Sequence, residues 1–325
     1  MSLRTWSTIA LATLALSGCA GTSSRVSRAS LSALATPVAT VSTPSRPTPP
    51  APQTCGNPLA SLTPPATLPA PGHMPRHTYM AAIARRGRLV AGVDQNSFLF
   101  AYFNPTDGQI EGFEIDLLKQ IAKAIFSDET RIAFKAVTTA QRLGAVQSGG
   151  VDVVADAVTI TCARRRQVAF SAVYYNAAQR LLVPRSSRVG SLAALGGRRV
   201  CATTGSTTIV NIENARPRPV PYAVPQRTDC LVALQQGRVD AISSDDPILL
   251  GFAAQDPNVK VVGPVISPQP YGMAISLAHP EFVRFVNGVL AKLRADGIWA
   301  RIYAHWLGRY TGATVPPPPT PVYSG

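Results

Sequence analysis

The chain has 325 residues, a length that allows one large domain or two smaller ones. Its 31 Lys and Arg against 17 Asp and Glu give a formal charge of +14, yet only 15% of its residues are charged. Hydrophobic residues make up 46% of the chain, enough for a buried core, which excludes a wholly disordered protein. Because the basic residues are scattered and cluster tightly only at Arg164–Arg166, we expect no nucleic-acid partner.

The first 18 residues are typical of a secretory signal. Arg4 supplies the positive charge, and Thr8 to Leu16 form an apolar run too short to cross about 30 Å of hydrocarbon as a helix. The run ends in Leu-Ser-Gly before Cys19, which resembles the bacterial lipobox, where the signal is cleaved and the cysteine is acylated. The pattern predicts a protein anchored by lipid at Cys19 to the extracytoplasmic face of the cell membrane.

Two segments are rich in proline. Residues 19–79 contain mostly Ser, Thr, Ala and Pro and show neither helical nor strand periodicity. Such a segment buries too little apolar surface to offset the entropy lost on ordering, so it is predicted to be a solvated tether. Residues 311–325 are predicted to be a second proline-rich tail.

The remaining body alternates strand-like and helix-like runs. The strand-like runs are Leu89–Val93, Val151–Ala155, Val200–Thr203, Val239–Ser243 and Lys260–Val262, and the helix-like runs are Ile115–Ile125, Ala140–Gln147, Cys230–Gln236 and Pro280–Leu307. This alternation predicts α/β layers with a mostly parallel sheet. Ala145–Asp152 is echoed by Ala233–Asp240 as helix end, Gly and strand. The echo suggests two similar lobes with a ligand site between them.

Four cysteines remain after Cys19, an even number that allows three pairings in an exported protein. Cys201 lies in a strand-like run and Cys230 opens a helix-like run. Because the strand and helix of one α/β unit pack face to face, Cys201–Cys230 is the preferred disulfide. Cys55–Cys162 follows by elimination and would tie part of the tether to the body.

Several ordered motifs resemble those of the polar amino-acid family of ABC-importer solute-binding proteins. One is Gly-Gln-Ile-Glu-Gly-Phe-Glu-Ile-Asp at 108–116, and another runs from Val151 through Arg164 to Tyr175. Gly205–Thr207 and Asp245–Pro247 match two further blocks. The resemblance covers about residues 80–310 and implies the two-lobed α/β fold of type II periplasmic binding proteins. The lipobox, the cysteines and the tether are most similar to those of actinobacterial members.

The resemblance also implies how a free amino acid is held. Arg164 matches the arginine that clamps the ligand's α-carboxylate, a role suited to a guanidinium fork. Thr159 matches a threonine that helps to hold the backbone of the ligand, and Ala157 stands where relatives commonly use the carbonyl of a glycine. The second lobe would contribute two donors to the carboxylate and an acceptor for the ammonium: Ser206, Thr207 and Asp245.

Ligand selectivity depends on fewer signals. Arg142 and Arg180 lie in segments that resemble parts of glutamate- and aspartate-binding relatives, although Arg180 suits a surface salt bridge equally well. Glutamine-selective relatives place an aromatic residue near Thr139, and this chain lacks one, which favours Glu and Asp as ligands. Asp94 could neutralise Arg142 or bind an amide, so Asn and Gln remain alternatives. Phe98 is expected to line the cleft or the core beneath it.

The fold implied by the resemblance predicts where the lobes divide. The first lobe would contain residues 80–184 and 271–310, and the second would contain residues 187–267. The chain would cross between them near Leu182–Ser187 and Ser267–Tyr271. Closure about this hinge would bury the amino acid and present a joint surface to a membrane partner.

No catalytic motif accompanies these residues. The four histidines lack metal-ligand spacing, Gly205–Thr208 lacks the lysine of a phosphate loop, and no Gly-x-Ser-x-Gly elbow is present. We therefore expect a monomeric binding protein without enzymatic activity, cofactor or metal, whose partner is an ABC permease. A sensory lipoprotein that reports to a membrane receptor and kinase is the main alternative. A dehydratase-like enzyme on the same fold is less favoured because the clamp residues are intact.

Overall fold

The protein is described by a computed structural model that covers residues 55–312 and 314–324. The predicted signal peptide, Cys19 and the tether up to residue 54 lie outside these residues. Across the described ranges, none of the helices has the length and apolar composition required to span a bilayer.

The elements follow one another in α/β order. The strands of the described part are β1 Ala60–Ser61, β2 Leu89–Val93, β3 Asn96–Ser97, β4 Ala101–Asn104, β5 Gln109–Glu111, β6 Ile132–Ala136, β7 Val153–Val154, β8 Ala169–Phe170, β9 Tyr175–Pro184, β10 Arg199–Thr203, β11 Val220–Val224, β12 Ala241–Asp245, β13 Val259–Tyr271, β14 Ala274–Ile275 and β15 Val322–Tyr323. The helices are α1 Tyr79–Arg86, α2 Phe113–Phe126, α3 Arg142–Gln147, α4 Cys162–Arg165, α5 Thr207–Asn214, α6 Arg227–Gln235, α7 Asp246–Gln255, α8 Pro280–Ala295, α9 Ile298–Tyr303 and α10 Arg309–Thr311. A 3-10 turn covers Ala193–Leu195 and a π-helical turn covers Ala304–Gly308.

The first lobe is built on a five-stranded sheet in the order β6-β2-β7-β14-β8. β2 pairs in parallel with β6 and β7, whereas β14 is antiparallel to β7 and β8, so the sheet is mixed rather than mostly parallel. Helix α2 packs on this lobe through the apolar stripe that its periodicity predicts, with Phe113, Leu117 and Ile121 fully buried. The predicted helix Pro280–Leu307 is divided at Gly297, whose φ of 68° lies in the left-handed region that ends a helix.

The second lobe has a five-stranded sheet in the order β11-β10-β12-β9-β13. β10 is parallel to β11 and β12, and β9 is antiparallel to β12 and β13. The strand and helix that carry Cys201 and Cys230 pack face to face, and the preferred disulfide between them is formed. Cys55–Cys162 is formed as well.

Two long antiparallel strands, β9 and β13, connect the lobes. Tyr175 pairs with Tyr271 at the end nearest the first lobe, and from Gln179 onwards β9 is also paired with β12 of the second lobe. Leu182 therefore lies inside the second sheet, opposite Ile242. The first crossing lies within β9, near residues 175–179, and not at Leu182–Ser187 as the sequence predicted. A continuous strand hides such a crossing because no Gly or Pro interrupts its pattern there.

The chain from Cys55 onwards is packed on the first lobe, which differs from the prediction of a solvated tether as far as residue 79. β1 pairs in parallel with β15, so the predicted C-terminal tail is part of the same small sheet. Asn287 donates its amide N–H groups to Ser61 Oγ, at 2.7 Å, and to the Leu62 carbonyl, at 2.6 Å. These contacts join residues that are far apart in the sequence. They therefore cannot be predicted from the composition of residues 55–79 alone.

Candidate functional site

A small polar cavity lies between the lobes, beyond the carboxyl ends of β10 and β12, with about 20 Å3 open to a water-sized probe. The first lobe lines it with Thr139, Arg142, Ala157 and Thr159, and the second with Thr203, Ser206, Thr207, Thr208, Arg227, Ser244, Asp245 and Ile248. That volume is well below the range for open ligand pockets, and most of the lining is polar. The cavity therefore suits one small, charged or hydrogen-bonding molecule.

Arg164 stands beside this cavity and bridges the lobes. Its Nη1 donates to the Thr159 carbonyl at 2.8 Å and its Nη2 to the Gly205 carbonyl at 3.1 Å. It is buried, and among the described residues no carboxylate forms a salt bridge with it. Burial, with a contribution from the charge of Arg142, lowers the pKa of Arg164 to about 9. A buried cation that forms no salt bridge is stabilised by an anionic ligand.

Asp245 supplies the opposite charge at the cavity. It ends β12 and precedes α7, and its Oδ2 accepts a hydrogen bond of 2.7 Å from the Tyr271 hydroxyl. Its Oδ1 is buried and receives no hydrogen bond within the described part of the chain. Burial raises the pKa of this carboxyl. A free, buried acceptor at the wall of a cavity suits a cationic donor such as an ammonium group.

The two predicted threonines meet across the cleft. Thr159 and Thr207 both donate their hydroxyls to Gln269 Oε1, at 2.6 and 2.8 Å. Gln269 lies on β13 at the hinge, and it was not among the site residues predicted from the sequence. The Ser206 hydroxyl caps α5 by accepting from the Ile209 N–H, and it donates to the Thr203 carbonyl. Ser206 is therefore engaged locally, while the first N–H groups of α5 remain suited to an anion.

Ala157 has an unusual backbone conformation. Its φ is 48°, in the left-handed region that favours glycine and costs an alanine roughly 1–2 kcal/mol. Its N–H donates to Glu114 Oε1 at 2.8 Å, and its carbonyl accepts from Arg142 Nη1 at 3.3 Å. These contacts hold a conformation that a glycine would adopt without this cost.

Arg227 is a cavity residue that the sequence did not single out. It is the first residue of α6 in the second lobe, yet its Nη1 donates to Asp94 Oδ2 at 2.6 Å and to Ser97 Oγ at 3.0 Å in the first lobe. The same Nη1 lies 2.6 Å from Asp156 Oδ1. Although burial opposes it, the carboxylates of Asp156 and Asp94 raise the pKa of Arg227. A cation at the start of a helix is disfavoured by the helix dipole. This disfavoured position of Arg227 is the feature of the sequence that could have indicated an acidic partner.

Besides Arg164, which stands beside the cavity, three predicted residues do not line it. Asp94 is bound to Arg227 behind the wall rather than facing the ligand space. Phe98 packs edge-to-face on Tyr102, with ring centroids 4.9 Å apart. The guanidinium of Arg180 donates hydrogen bonds to the Gly263 carbonyl. Side chains alternate between the two faces of β9, and the neighbouring Gln179 is the one that is buried. The prediction that Arg180 reaches the ligand is therefore not supported by its position.

Glu114 adds a titratable group behind the cavity wall. It is fully buried and accepts hydrogen bonds from the Tyr174 hydroxyl and the Ala157 N–H. Burial raises the pKa of Glu114 from 4.5 to about 7. The folded protein therefore binds a proton here more readily than the unfolded chain does. The free energy of unfolding accordingly falls as pH rises from about 4.5 to about 7, and the loss is complete above that range.

We expect Glu114→Gln to stabilise the protein at pH 8 by about 1–3 kcal/mol and to change little at pH 4.5. The amide keeps an acceptor for Ala157 and cannot ionise. Urea unfolding of both proteins at the two pH values measures the difference. Glu129→Gln, at an exposed site, is the control. An equal effect at both pH values would contradict the prediction.

Comparison with known proteins identifies the family and the relatives that this chain resembles. Residues 89–309 match the family described as bacterial extracellular solute-binding proteins, family 3. The ABC-transporter glutamine-binding protein GlnH of Bacillus subtilis is 37% identical over 229 residues, which cover 70% of this chain and 84% of that protein. The glutamate-binding protein GluB of Corynebacterium efficiens is 28% identical over 254 residues, covering 74% and 86%.

The fold has solved counterparts. The cysteine-binding protein of Campylobacter jejuni superposes with a TM-score of 0.70 at 25% identity, covering 74% of this chain and 96% of that one. The predicted two-lobed fold of type II periplasmic binding proteins is confirmed. Because the family match includes both lobes and the hinge strands between them, the chain belongs to family 3 of the bacterial extracellular solute-binding proteins.

Proposed function

We propose that this protein binds one free polar amino acid between its lobes and delivers it to an ABC permease. The observation that carries the proposal is that two buried groups of opposite charge, Arg164 and Asp245, lie at one small cavity. Within the described part of the chain, Arg164 is a buried cation that forms no salt bridge, and Asp245 is a buried carboxylate with one oxygen that receives no hydrogen bond. An α-amino acid places a carboxylate and an ammonium on the same carbon, so it satisfies both groups at once.

The relatives support this ligand class. GlnH is named for glutamine and GluB for glutamate, so the ligand proposed for this chain is a polar amino acid. Glu, Asp, Gln and Asn are the candidates, and the sequence favoured the two acids because of Arg142. In the structure, Arg142 lines the cavity while its Nη1 donates to the carbonyls of Asp156 and Ala157, at 2.5 and 3.3 Å.

Closure of the lobes is the proposed signal to the permease. Arg164 reaches Gly205 of the second lobe, and Thr159 approaches Thr207 at 3.5 Å, so contacts of the closed form surround the ligand space. A ligand that touches both lobes binds this form more tightly than an open one and shifts the population towards it. We propose a monomer held at the outer face of the membrane by lipid on Cys19, a residue outside the described ranges, and without catalytic activity.

Calorimetric titration of the purified protein with each of the twenty amino acids tests the proposal. We expect one-to-one binding in the micromolar range or tighter for at least one acidic or amide amino acid. The ligand should be recovered chemically unchanged after denaturation, which separates binding from turnover. Absence of binding to all four candidates by the folded protein would contradict the proposal.

A further inference from the structure

We propose that residues 55–62 form a strap that positions Arg164 for the ligand, and that the Cys55–Cys162 disulfide and Arg165 connect the strap to the helix that carries Arg164. The inference rests on the proposed function, because Arg164 is the residue proposed to bind the α-carboxylate. It goes beyond that function, since it gives a role in ligand affinity to a segment that contributes no residue to the lining of the cavity.

The strap is an addition to the shared architecture of the family. The match to family 3 of the solute-binding proteins begins at residue 89 and ends at residue 309. The strap lies before this range, and β15, which pairs with β1 of the strap, lies after it. Their contacts with the helix that carries Arg164 are therefore made by residues outside the matched part of the chain.

Arg164 lies on a helix that is too short to be stable by itself. α4 contains only the four residues Cys162–Arg165, and it is capped by the Thr161 hydroxyl, which accepts from the Arg164 N–H at 3.2 Å. A single helical turn has little intrinsic stability, because its nucleation fixes several backbone dihedral angles for one hydrogen bond. The position of Arg164 therefore depends on the contacts that α4 makes with the rest of the protein.

The disulfide attaches the strap to the beginning of α4. Cys55, in the strap, is bonded to Cys162, the first residue of the helix, although the two are 107 positions apart in the sequence. This covalent bond limits how far the start of α4 can move away from the strap. Arg164 follows only two residues later, so the limit applies to its backbone as well.

Arg165 attaches the strap to the end of α4. Its Nη1 donates to the Pro58 carbonyl at 3.1 Å and to the Ala60 carbonyl at 2.6 Å. Hydrogen bonds from a charged donor are stronger than those between neutral groups. Arg164 thus lies between two attachments to the strap, and a rotation of α4 that turned its guanidinium away from the cavity would disturb both of them.

The strap is itself fixed to the first lobe. Ser61 is buried, and its Oγ donates to the Phe170 carbonyl at 2.7 Å and accepts from the Asn287 amide at 2.7 Å. The Ser324 N–H, next to β15, donates to the Ser61 carbonyl at 2.8 Å. Because Asn287 belongs to α8, these contacts connect α4 through the strap to a buried helix of the lobe.

The expected consequence is a gain in affinity for the α-carboxylate. A guanidinium that is already oriented loses less conformational freedom on binding than a mobile one does. Release of the strap leaves the charge of Arg164 in place but allows α4 to adopt other positions. Affinity should then fall for ligands that carry a charged α-carboxylate, and much less for ligands that lack this charge.

Two variants release α4 from the strap: the double substitution Cys55→Ser with Cys162→Ser, and Arg165→Ala. Calorimetry on the full chain first identifies which of glutamine, glutamate, asparagine and aspartate the wild type binds most tightly. The affinity for that amino acid is then compared with the affinity for its α-carboxamide, which lacks the negative charge. We expect each variant to weaken binding of the amino acid roughly 5- to 20-fold, and of the α-carboxamide by less than about 2-fold. Arg165→Lys, which keeps a charged donor, should recover part of the lost affinity.

Arg166→Ala, at the exposed neighbour of Arg165, is the matched control and should leave both affinities unchanged. The comparison of two ligands is informative because a general loosening of the lobe weakens both alike. Arg165→Ala retains the disulfide and therefore tests the inference even if the cysteine variant does not fold. Equal weakening of both ligands, or unchanged affinities in the folded variants, would overturn the inference and leave the proposed function intact. Failure of the wild type to bind any of the four amino acids would overturn both.

Discussion

Replacing Arg164 by alanine is expected to weaken binding of the amino acid by roughly 100-fold or more. Loss of one partner from a buried, hydrogen-bonded ion pair costs about 2–5 kcal/mol. Here the guanidinium is the only group proposed to neutralise the ligand's α-carboxylate, and it is already held by the Thr159 and Gly205 carbonyls. The Thr159 carbonyl belongs to the same lobe as Arg164, so this contact orients the guanidinium before the lobes close on the ligand, and less of the interaction is lost to ordering of the side chain.

The same substitution should leave the ligand-free protein folded. Arg164 is buried and forms no salt bridge with a carboxylate among the described residues, so its removal also relieves the cost of burying a charge. Calorimetry measures the loss of affinity, and thermal unfolding with and without ligand measures the loss of ligand-induced stabilisation. Arg166→Ala, an exposed residue of the same cluster, is the control and should bind normally. Undiminished affinity in Arg164→Ala would remove the basis of the proposed function.

The sequence predicts best where a local pattern has one physical meaning. The three- and four-residue spacing of apolar residues in α2 predicts a helix buried on one face, and the structure contains it. Cys201 and Cys230 could be paired because a strand and a helix of one α/β unit must pack together. The ligand roles of Arg164 and Asp245 come from the resemblance of their motifs to those of the family, and they remain predictions.

Prediction from the sequence fails where contacts between residues far apart in the chain determine the structure. Residues 55–79 have the composition of a tether, but Asn287 binds Ser61 and Leu62 from a distant helix. The hinge crossing is hidden in β9 because the same strand serves both lobes.

Arg227 was overlooked for a related reason. Its acidic partners Asp94 and Asp156 are far away in the sequence and in the other lobe. Asp156 was itself visible as a charge within an apolar run, which predicts a buried partner without identifying it. The charge pairs behind the cavity wall are thus contacts that local motifs do not reveal.

Asp245→Asn is the second substitution with a large expected effect, because it should separate binding from stability. The asparagine can still accept from the Tyr271 hydroxyl, but it carries no charge for the ligand's ammonium. Affinity should fall roughly 30-fold or more, by the same argument as for a buried ion pair. Because burial raises the pKa of Asp245, the ligand-free protein should unfold at the same or a higher temperature.

Ligand analogues make this prediction specific to the ammonium. The wild type should bind the N-acetylated amino acid, which lacks that charge, far more weakly than the parent, and Asp245→Asn should lose most of this difference. Asp246→Asn is the matched control, since Asp246 adjoins Asp245 but accepts from the Ala178 N–H and does not line the cavity. If Asp245→Asn still distinguished the parent from its N-acetyl derivative as strongly as the wild type does, another group would have to bind the ammonium. The role in binding the ammonium that the proposed function gives to Asp245 would then be wrong.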